Sequence, residues 1–349
     1  MSRVIGMDLG DKHHVTVVLD ESTGNEVEKR KIVNTAKQVQ RYFSRFPGSA
    51  VVMEAGTHSA WITRLLRNMG HEVLVGNPRK LRAIWDADDK SDERDARILA
   101  FMYRLEPRLL HPVYHRGEEA QIDLELIKSR NQLVECRSKL INHVRGVVKG
   151  VGERVPSCSS ASFARRAREH MPEALRAHVA PVVEMIEDLT KKIRIQDRKI
   201  ADMCVDDYPE TYVLLQVPGV GPVTALAYVL TLEEPTRFEK SRSAGAFLGL
   251  TPRRDQSGDT DKQLRITKAG DTYLRKLLVG CGHYILGPFG PDCDLRRHGQ
   301  RIAARGGKNA KKRAVTAVAR KLSVLLHRLW ASQCSYVALG YRETRRGAA

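Results

Sequence analysis

The sequence predicts an α/β domain followed by all-α segments. Three observations predict it. β-rich apolar runs separated by turn residues open the chain, heptad-spaced apolar residues occupy its middle, and its last third carries apolar stripes at helical spacing. The 349 residues suffice for two or three domains and at least one sizeable core.

Val4 to Met7 and Val15 to Leu19 flank Gly10-Asp11-Lys12 and read as a hairpin. Glu26 to Val33 is a candidate third antiparallel strand. Ala36 to Phe46 is helical in pattern, and Ala50 to Met53 is a short apolar run suited to a buried strand. Trp61, Leu65, Leu66 and Met69 form a helical stripe; His71 to Val75 reads as a strand and Asp92 to Tyr103 as a helix. Three strands, then alternating helices and strands, is the order of a ribonuclease-H-like fold, expected here over residues 1–112.

Residues 113–207 are expected to be a helical coiled-coil or dimerisation region. Leu126, Leu133, Leu140 and Val147 recur every seventh residue, as do Ile127, Val134, Ile141 and Val148. Val182, Ile186, Leu189, Ile193, Gln196, Ile200 and Met203 alternate steps of four and three, which is an a/d seam. Ser157 to Ser162 and Pro172 break the two helices apart, so the pair is read as antiparallel. An internal hairpin and a dimer contact fit this seam equally well.

Residues 208–341 are expected to be mostly helical, and 342–349 a disordered tail. Val217-Pro218-Gly219-Val220-Gly221-Pro222 leads into an apolar helix, Val223 to Leu230, and Ser243 to Leu248 is a short helix. Thr251 to Lys268 is polar and reads as a loop or irregular hairpin; Asp271 to Leu286 and Lys311 to Trp330 read as helices. Gly219 and Gly221 stand as in a helix-hairpin-helix, where backbone N–H groups meet a phosphate; an ordinary turn before a buried helix is the alternative.

Lys and Arg number 59 against 41 Asp and Glu, a formal charge of +18. Such a surplus calls for an anionic partner, and nucleic acid fits because neutralised phosphates release counterions. From Arg296 to Arg346 there are 14 Lys and Arg and one acidic residue, Glu343. Lys308, Lys311, Lys312 and Arg313 fall here, three of them in the first turn of a helix whose dipole opposes cations. The six cysteines form no CxxC pair and lack a His at zinc spacing, which suggests a reduced, cytoplasmic chain. No signal-like start and no membrane-length apolar stretch stands out, so no membrane partner is expected.

Asp8 ends the first strand, Glu54 follows the buried strand, and Asp92 and Asp95 share one helix face. Phosphodiester chemistry with two divalent ions needs such hard oxygen donors, which points to Mg²⁺, with Mn²⁺ as a substitute. Asp88 and Asp89 compete but precede the helix; Asp11 reads as a turn residue; His13 and His14 read as surface strand positions. Ser257 lies in a polar segment with Arg253, Arg254, Lys262, Arg265 and Lys268, cations suited to a phosphate. Gly258 would allow close backbone approach. Taken alone, Ser257-Gly258 is better read as a turn, and Ser241, Ser243 and Thr251 are weaker nucleophile candidates. Gly306-Gly307-Lys308 lacks P-loop spacing.

Gly6-x-Asp8, Glu54-Ala55-Gly56-Thr57 and Asp92-x-x-Asp95-Ala96, followed by Val217-Pro218-Gly219-Val220-Gly221, Phe247 to Gly258 and Ile266 to Asp271, resemble the DEDD transposases of the one-ten insertion-sequence family. The resemblance spans nearly the whole chain and implies a RuvC-like N-terminal domain with a Mg²⁺ site of Asp8, Glu54, Asp92 and Asp95. It implies Ser257 as the nucleophile of a transient phosphoserine link to DNA. It also implies a structured bridge RNA that pairs with donor and target DNA, and a homo-oligomer, dimer or tetramer, whose subunits share each site. The Asp255-Gln256 pair departs from the pattern at positions that look variable. A metal-dependent nuclease or Holliday-junction-type resolvase, acting without Ser257, is the second expectation. A basic, catalytically silent scaffold is the third.

Overall fold

In the computed structural model the described residues are 2–81, 91–257 and 260–340, without the side chains of 257 and 260–263. The competing Asp88 and Asp89 and the expected tail 342–349 lie outside them. The chain folds as two compact units, Met1–Arg116 and Gly117–Ala349.

The first unit is built on a five-stranded mixed sheet. β1 (Arg3–Asp8), β2 (His13–Asp20) and β3 (Glu26–Val33) form an antiparallel meander. Helix α1 (Ala36–Phe43) follows, capped by the Thr35 hydroxyl accepting from the Gln38 amide. It ends three residues before the expected Phe46. β4 (Ala50–Glu54), α2 (Ser59–Asn68) and β5 (Glu72–Gly76) come next, then the short α3 (Pro78–Leu81) and α4 (Asp92–Leu105). The strand order is β3-β2-β1-β4-β5, with β4 parallel to β1 and to β5.

Alternation sorts the strand side chains onto two faces. Ile5, Met7, Val18, Val51 and Met53 pack with Val39 and Phe43 of α1 and Ile62 and Leu66 of α2. Val4, Val17, Ala50 and Val52 pack with Ala96, Leu99 and Ala100 of α4. Apolar residues on both faces explain why these strands read as near-continuous hydrophobic runs. His14 corrects an expectation: it is fully buried, not on the surface, because its face of β2 lies under α1 and α2, whereas His13 is exposed.

The second unit begins with α5 (Glu118–Gly150), α6 (Phe163–Glu169) and α7 (Glu173–Asp206). Arg130 of α5 pairs with Asp197 of α7, and Arg137 reaches Thr190, so the two long helices are antiparallel. Ile127, Ile141 and Val148 of one seam, and Ile186, Leu189, Ile193 and Ile200 of the other, are buried. Phe163, Ala164 and Ala167 of α6 close the far end of the hairpin against Val144, Val148 and Val183.

Helices α8 (Thr211–Leu215), α9 (Pro222–Leu232) and α10 (Arg242–Phe247) are followed by a β-hairpin of β6 (Pro252–Ser257) and β7 (Thr260–Ile266). Its register slips between Pro252 and Arg254, the irregular form expected of that segment. Then come α11 (Thr272–Leu286), α12 (Asp294–Ala303) and α13 (Ala310–Ser332). α9 is buried from Thr224 through Leu232, and an all-round apolar helix belongs in a core. α12 was not legible: it is polar and holds Gly299, where a Cβ would sit 2.6 Å from side-chain carbons of Leu286 and Val318.

One glycine sets the geometry of the first unit. A Cβ at Gly6 would lie 1.7 Å from the carbonyl oxygen of Ala96, so α4 rests directly on the backbone of β1. Both atoms involved are backbone, so neither can move aside cheaply. Gly6→Ala is expected to destabilise the chain by about 3 kcal/mol, the upper range for overpacking. Gly56→Ala, whose Cβ meets open space, should fall within about 1 kcal/mol of wild type in urea unfolding. Equal midpoints for the two variants would refute this contact.

Candidate functional site

Asp8 closes β1 and Glu54 closes β4, two neighbouring parallel strands whose register pairs Met7 with Met53. By alternation from Val4 and Val52, both carboxylates stand on the α4 face of the sheet. Both are half-buried. The strands lie ~4.8 Å apart, so the two residues share one end of the sheet.

α4 brings the other two carboxylates to that end. Glu93 pairs with Lys29 at 2.6 Å, Arg97 pairs with Glu26, and Arg104 donates to the carbonyl of Glu21 at 2.8 Å. Along β3 this order runs away from Asp8, so α4 lies antiparallel to β1 and its first turn overhangs the Asp8 end. Asp92 and Asp95 stand four residues before Ala96 and Leu99, on the helix face turned to the sheet. The Ser91 hydroxyl caps this turn by accepting from the Arg94 amide, and the helix dipole favours the negative charge there.

Asp8, Glu54, Asp92 and Asp95 are therefore placed on one face of the sheet, toward one end. Their chemistry suits a divalent cation, which keeps several waters and needs few protein ligands. Among the described residues no three His, Cys, Asp or Glu side chains stand close enough to hold a metal ion between them. The four share a face and an end of the sheet without forming such a group.

A second titratable group lies on the opposite face of the sheet. The ring of His14 packs edge-on to that of His58, centroids 6.1 Å apart. His58 accepts a hydrogen bond at Nδ1 from the Trp61 indole, 3.3 Å, leaving Nε2 toward Asp11 at 3.8 Å. Burial holds His14 below its ordinary value; Asn34 pulls the other way, and His58 and His13 add to the depression. Burial also depresses His71, and His115 beside Arg64, Arg67 and Arg116.

In the second unit, Ser257 ends β6, its backbone opposite Thr260. Arg253, Arg254, Arg265 and Lys268 are exposed on or beside the hairpin; Lys262 is opposite Asp255 in register. Arg275 holds the hairpin's base. Nearly buried, it donates to the carbonyls of Leu248 at 3.0 Å and Ala269 at 2.7 Å. Gly219 has φ +85°, and a Cβ there would lie 2.8 Å from the Tyr284 ring, so backbone conformation and packing both require glycine. Gly221 caps α9 and has open space above it.

A groove of about 2220 Å³ lies between the hairpin, α12 and α13. Arg265, Lys268, Lys312 and Arg313 line it; Lys308 and Lys311 are exposed nearby in sequence but are not on its wall. It also contains Arg301, Arg305, Arg320 and Arg328, which no sequence motif had singled out. Charge count over this stretch was the available signal, but only folding shows that α12 and α13 turn these side chains to one side.

The acid response of the first unit follows from its histidines. Above the ordinary value of 6.5 they are neutral in folded and unfolded chains alike. Below it the unfolded chain takes up protons that the folded one resists, so stability is present above this pH and is lost as pH falls further. The urea midpoint should drop between pH 7.5 and pH 5.5, and His14→Gln should flatten that drop. An unaltered pH slope in the variant would remove His14 from this account.

Comparison with known proteins adds the following. Residues 5–152 match a family model described as a transposase of the DEDD type, and residues 211–286 match one described as the IS116/IS110/IS902 transposase family. The chain is 28% identical over 250 residues to a probable family 20 transposase of Pseudomonas aeruginosa, covering 69% of this chain and 72% of that protein. It is 27% identical over 288 residues to the transposase for insertion sequence element IS1328 of Yersinia enterocolitica, covering 80% and 82%. It is 26% identical over 289 residues to the transposase for IS1111A of Coxiella burnetii, covering 79% and 76%.

Proposed function

This chain belongs to the IS110 family of transposases, and on that premise we propose that it cuts and rejoins DNA through a covalent bond from Ser257, working with the carboxylates Asp8, Glu54, Asp92 and Asp95. The observation that supports the reading is the placement of those four residues on the α4 face, toward one end of the sheet. The strand order, a three-stranded meander followed by two parallel strands, supports a ribonuclease-H-like, RuvC-like catalytic domain over residues 1–112. Residues 113–207 would be the dimerisation region and 208–341 the serine-bearing transposase domain.

Asp8, Glu54, Asp92 and Asp95 would hold Mg²⁺, or Mn²⁺ in its place. A bound divalent ion supplies Lewis acidity at the phosphate oxygens. The carboxylates keep its position fixed, since α4 and the two strands are packed rigidly. Without a cation they repel a phosphate, so the same four residues gate DNA entry to that end of the sheet.

In the serine step the Ser257 oxygen bonds to phosphorus while the bond to the strand-end oxygen breaks. That oxygen leaves with the electron pair and takes up a proton, and the serine proton passes to a base. Reverse attack by a strand-end hydroxyl re-forms the phosphodiester and frees the serine. One phosphoester replaces another at each stage, so rejoining needs no ATP. Arg253, Arg254, Lys262, Arg265 and Lys268 surround the segment with cations, and the planar fork of arginine fits a phosphate bidentately. Gly219, Gly221, Lys308, Lys311, Lys312 and Arg313 would contact the nucleic-acid backbone.

The same proposal includes a structured guide RNA that selects target DNA by base pairing, a homo-oligomer, and action in the cytoplasm. Exposed Met185 and Ile195 on α7 support assembly through the helical pair.

The test is covalent capture. Purified chain, element-end DNA, associated RNA and Mg²⁺ should give a protein–DNA adduct on a denaturing gel, lost with Ser257→Ala and with chelator. Metal-dependent cleavage without an adduct in either protein would favour the nuclease reading. Asp8→Ala or Asp95→Ala should lower strand exchange roughly a hundred- to thousandfold while leaving DNA binding largely intact. Binding lost in step with exchange would instead indicate misfolding or a binding-only role.

A further inference from the structure

The groove of the second unit is unusual in its charge. Among the described residues it is lined by seven arginines and three lysines against one carboxylate, Asp294. Elsewhere arginines of this unit have partners: Arg297 pairs with Asp292, and Arg296 donates to the carbonyls of Ile285 and Gly287. Arg301, Arg305, Arg320 and Arg328 enter none of the side-chain hydrogen bonds or ion pairs found among the described residues. Concentrated positive charge also acts on His298 in the same groove. Burial first, then Lys321, Arg301 and Arg305, hold that ring below its ordinary value.

The arrangement of these cations says what they fit. On α13, Arg313, Arg320 and Arg328 recur at seven and eight residues, ~11–12 Å apart at ~1.5 Å per residue. Arg301 of α12 and Arg305, just past that helix, line the same groove, and Arg265 and Lys268 add charge from the hairpin. The groove therefore offers positive charge from three elements over a length of ~22 Å, suited to phosphates on two strands. Stacking platforms are missing from its described lining: Tyr336 is its one Phe, Tyr or Trp, and its hydroxyl is buried. Single strands are gripped through stacked bases on aromatic rings, whereas duplexes are gripped through their phosphates.

We propose that the groove between the β6–β7 hairpin, α12 and α13 is a docking channel for double-stranded DNA, held by phosphate contacts from Arg301, Arg305, Arg320 and Arg328 and indifferent to base sequence. This rests on the reading of the chain as a DNA-transposing enzyme, but not on the serine step. The partner is identified by its high charge density, two phosphate rows and lack of need for stacking. The grip orders the duplex and leaves the choice of sequence elsewhere.

The experiment is fluorescence anisotropy of the full chain with a labelled duplex of about two turns, a shuffled duplex, each single strand, and an RNA duplex of the same length. The wild type should bind the two DNA duplexes within about twofold of each other and at least tenfold more tightly than either strand or the RNA. Changing Arg301, Arg305, Arg320 and Arg328 together to Ala should weaken duplex binding at least tenfold. It should also lower the slope of log affinity against log salt by about 3 to 4, near 0.9 per lost phosphate contact. Two companions keep the result interpretable. The same four positions changed to Lys should keep the slope, and Arg165, Arg166, Arg168 and Arg176 changed to Ala remove equal charge elsewhere and should leave duplex affinity unchanged.

Preference for single strands or for RNA, or an unchanged slope in a quadruple variant that melts like wild type, would overturn the proposal. Duplex binding that survives with no Ser257 adduct would sink the serine step and leave the channel standing. An adduct with no change in the quadruple variant would do the reverse.

Discussion

The contact between α4 and β1 governs the first unit. Gly6 has no side chain, so the carbonyl of Ala96 can rest where a Cβ would otherwise stand. Helix and strand then lie closer than side-chain packing would allow, and the first turn of α4 overhangs the strand end that carries Asp8. Move the helix outward by one methyl group and Asp92 and Asp95 retreat from Asp8 and Glu54 together. The placement of the four acidic residues thus depends on a backbone-level contact that contains no charge.

Part of this was legible in the sequence because the apolar runs and one helical period were clear. The runs located the strands that end in Asp8 and Glu54, but only the register of the folded sheet shows that the two share a face. The seven-residue spacing in α5 and α7 announced an antiparallel pair, and Arg130 meeting Asp197 bears that pairing out. His14 was misread because a lone histidine in a strand has no pattern of its own; only the cover provided by α1 and α2 buries it. α12 was invisible for a related reason. It is short and polar, and it packs by way of Gly299, an absence of side chain rather than an apolar stripe. Tertiary contact settled both cases, and no local signal stood in for it.

The second unit separates two tasks that the sequence ran together. Arg253 and Arg254 precede Ser257 on β6 and are exposed, whereas Arg265 and Lys268 join the arginines of α12 and α13 in lining a groove. β6 carries the backbone ~17 Å from the groove wall at Pro252 to Ser257, at ~3.3 Å per residue. Arg275 fixes where that arm begins through its bonds to the carbonyls of Leu248 and Ala269. On the proposed reading, holding DNA and reacting with it would fall to different stretches of the same fold.

The concentrated positive charge of the groove also bears on the free protein. Like charges crowded on α12 and α13 raise the free energy of the folded state whenever no polyanion screens them. A polyanion that binds only the folded chain lowers it, by an amount that grows with the logarithm of its concentration. If the groove holds DNA as proposed, nucleic acid is a folding ligand as well as a substrate. The chain is least secure at the moment of synthesis, before it has met any, and its abundance in a cell is coupled to how soon a nearby nucleic acid captures it.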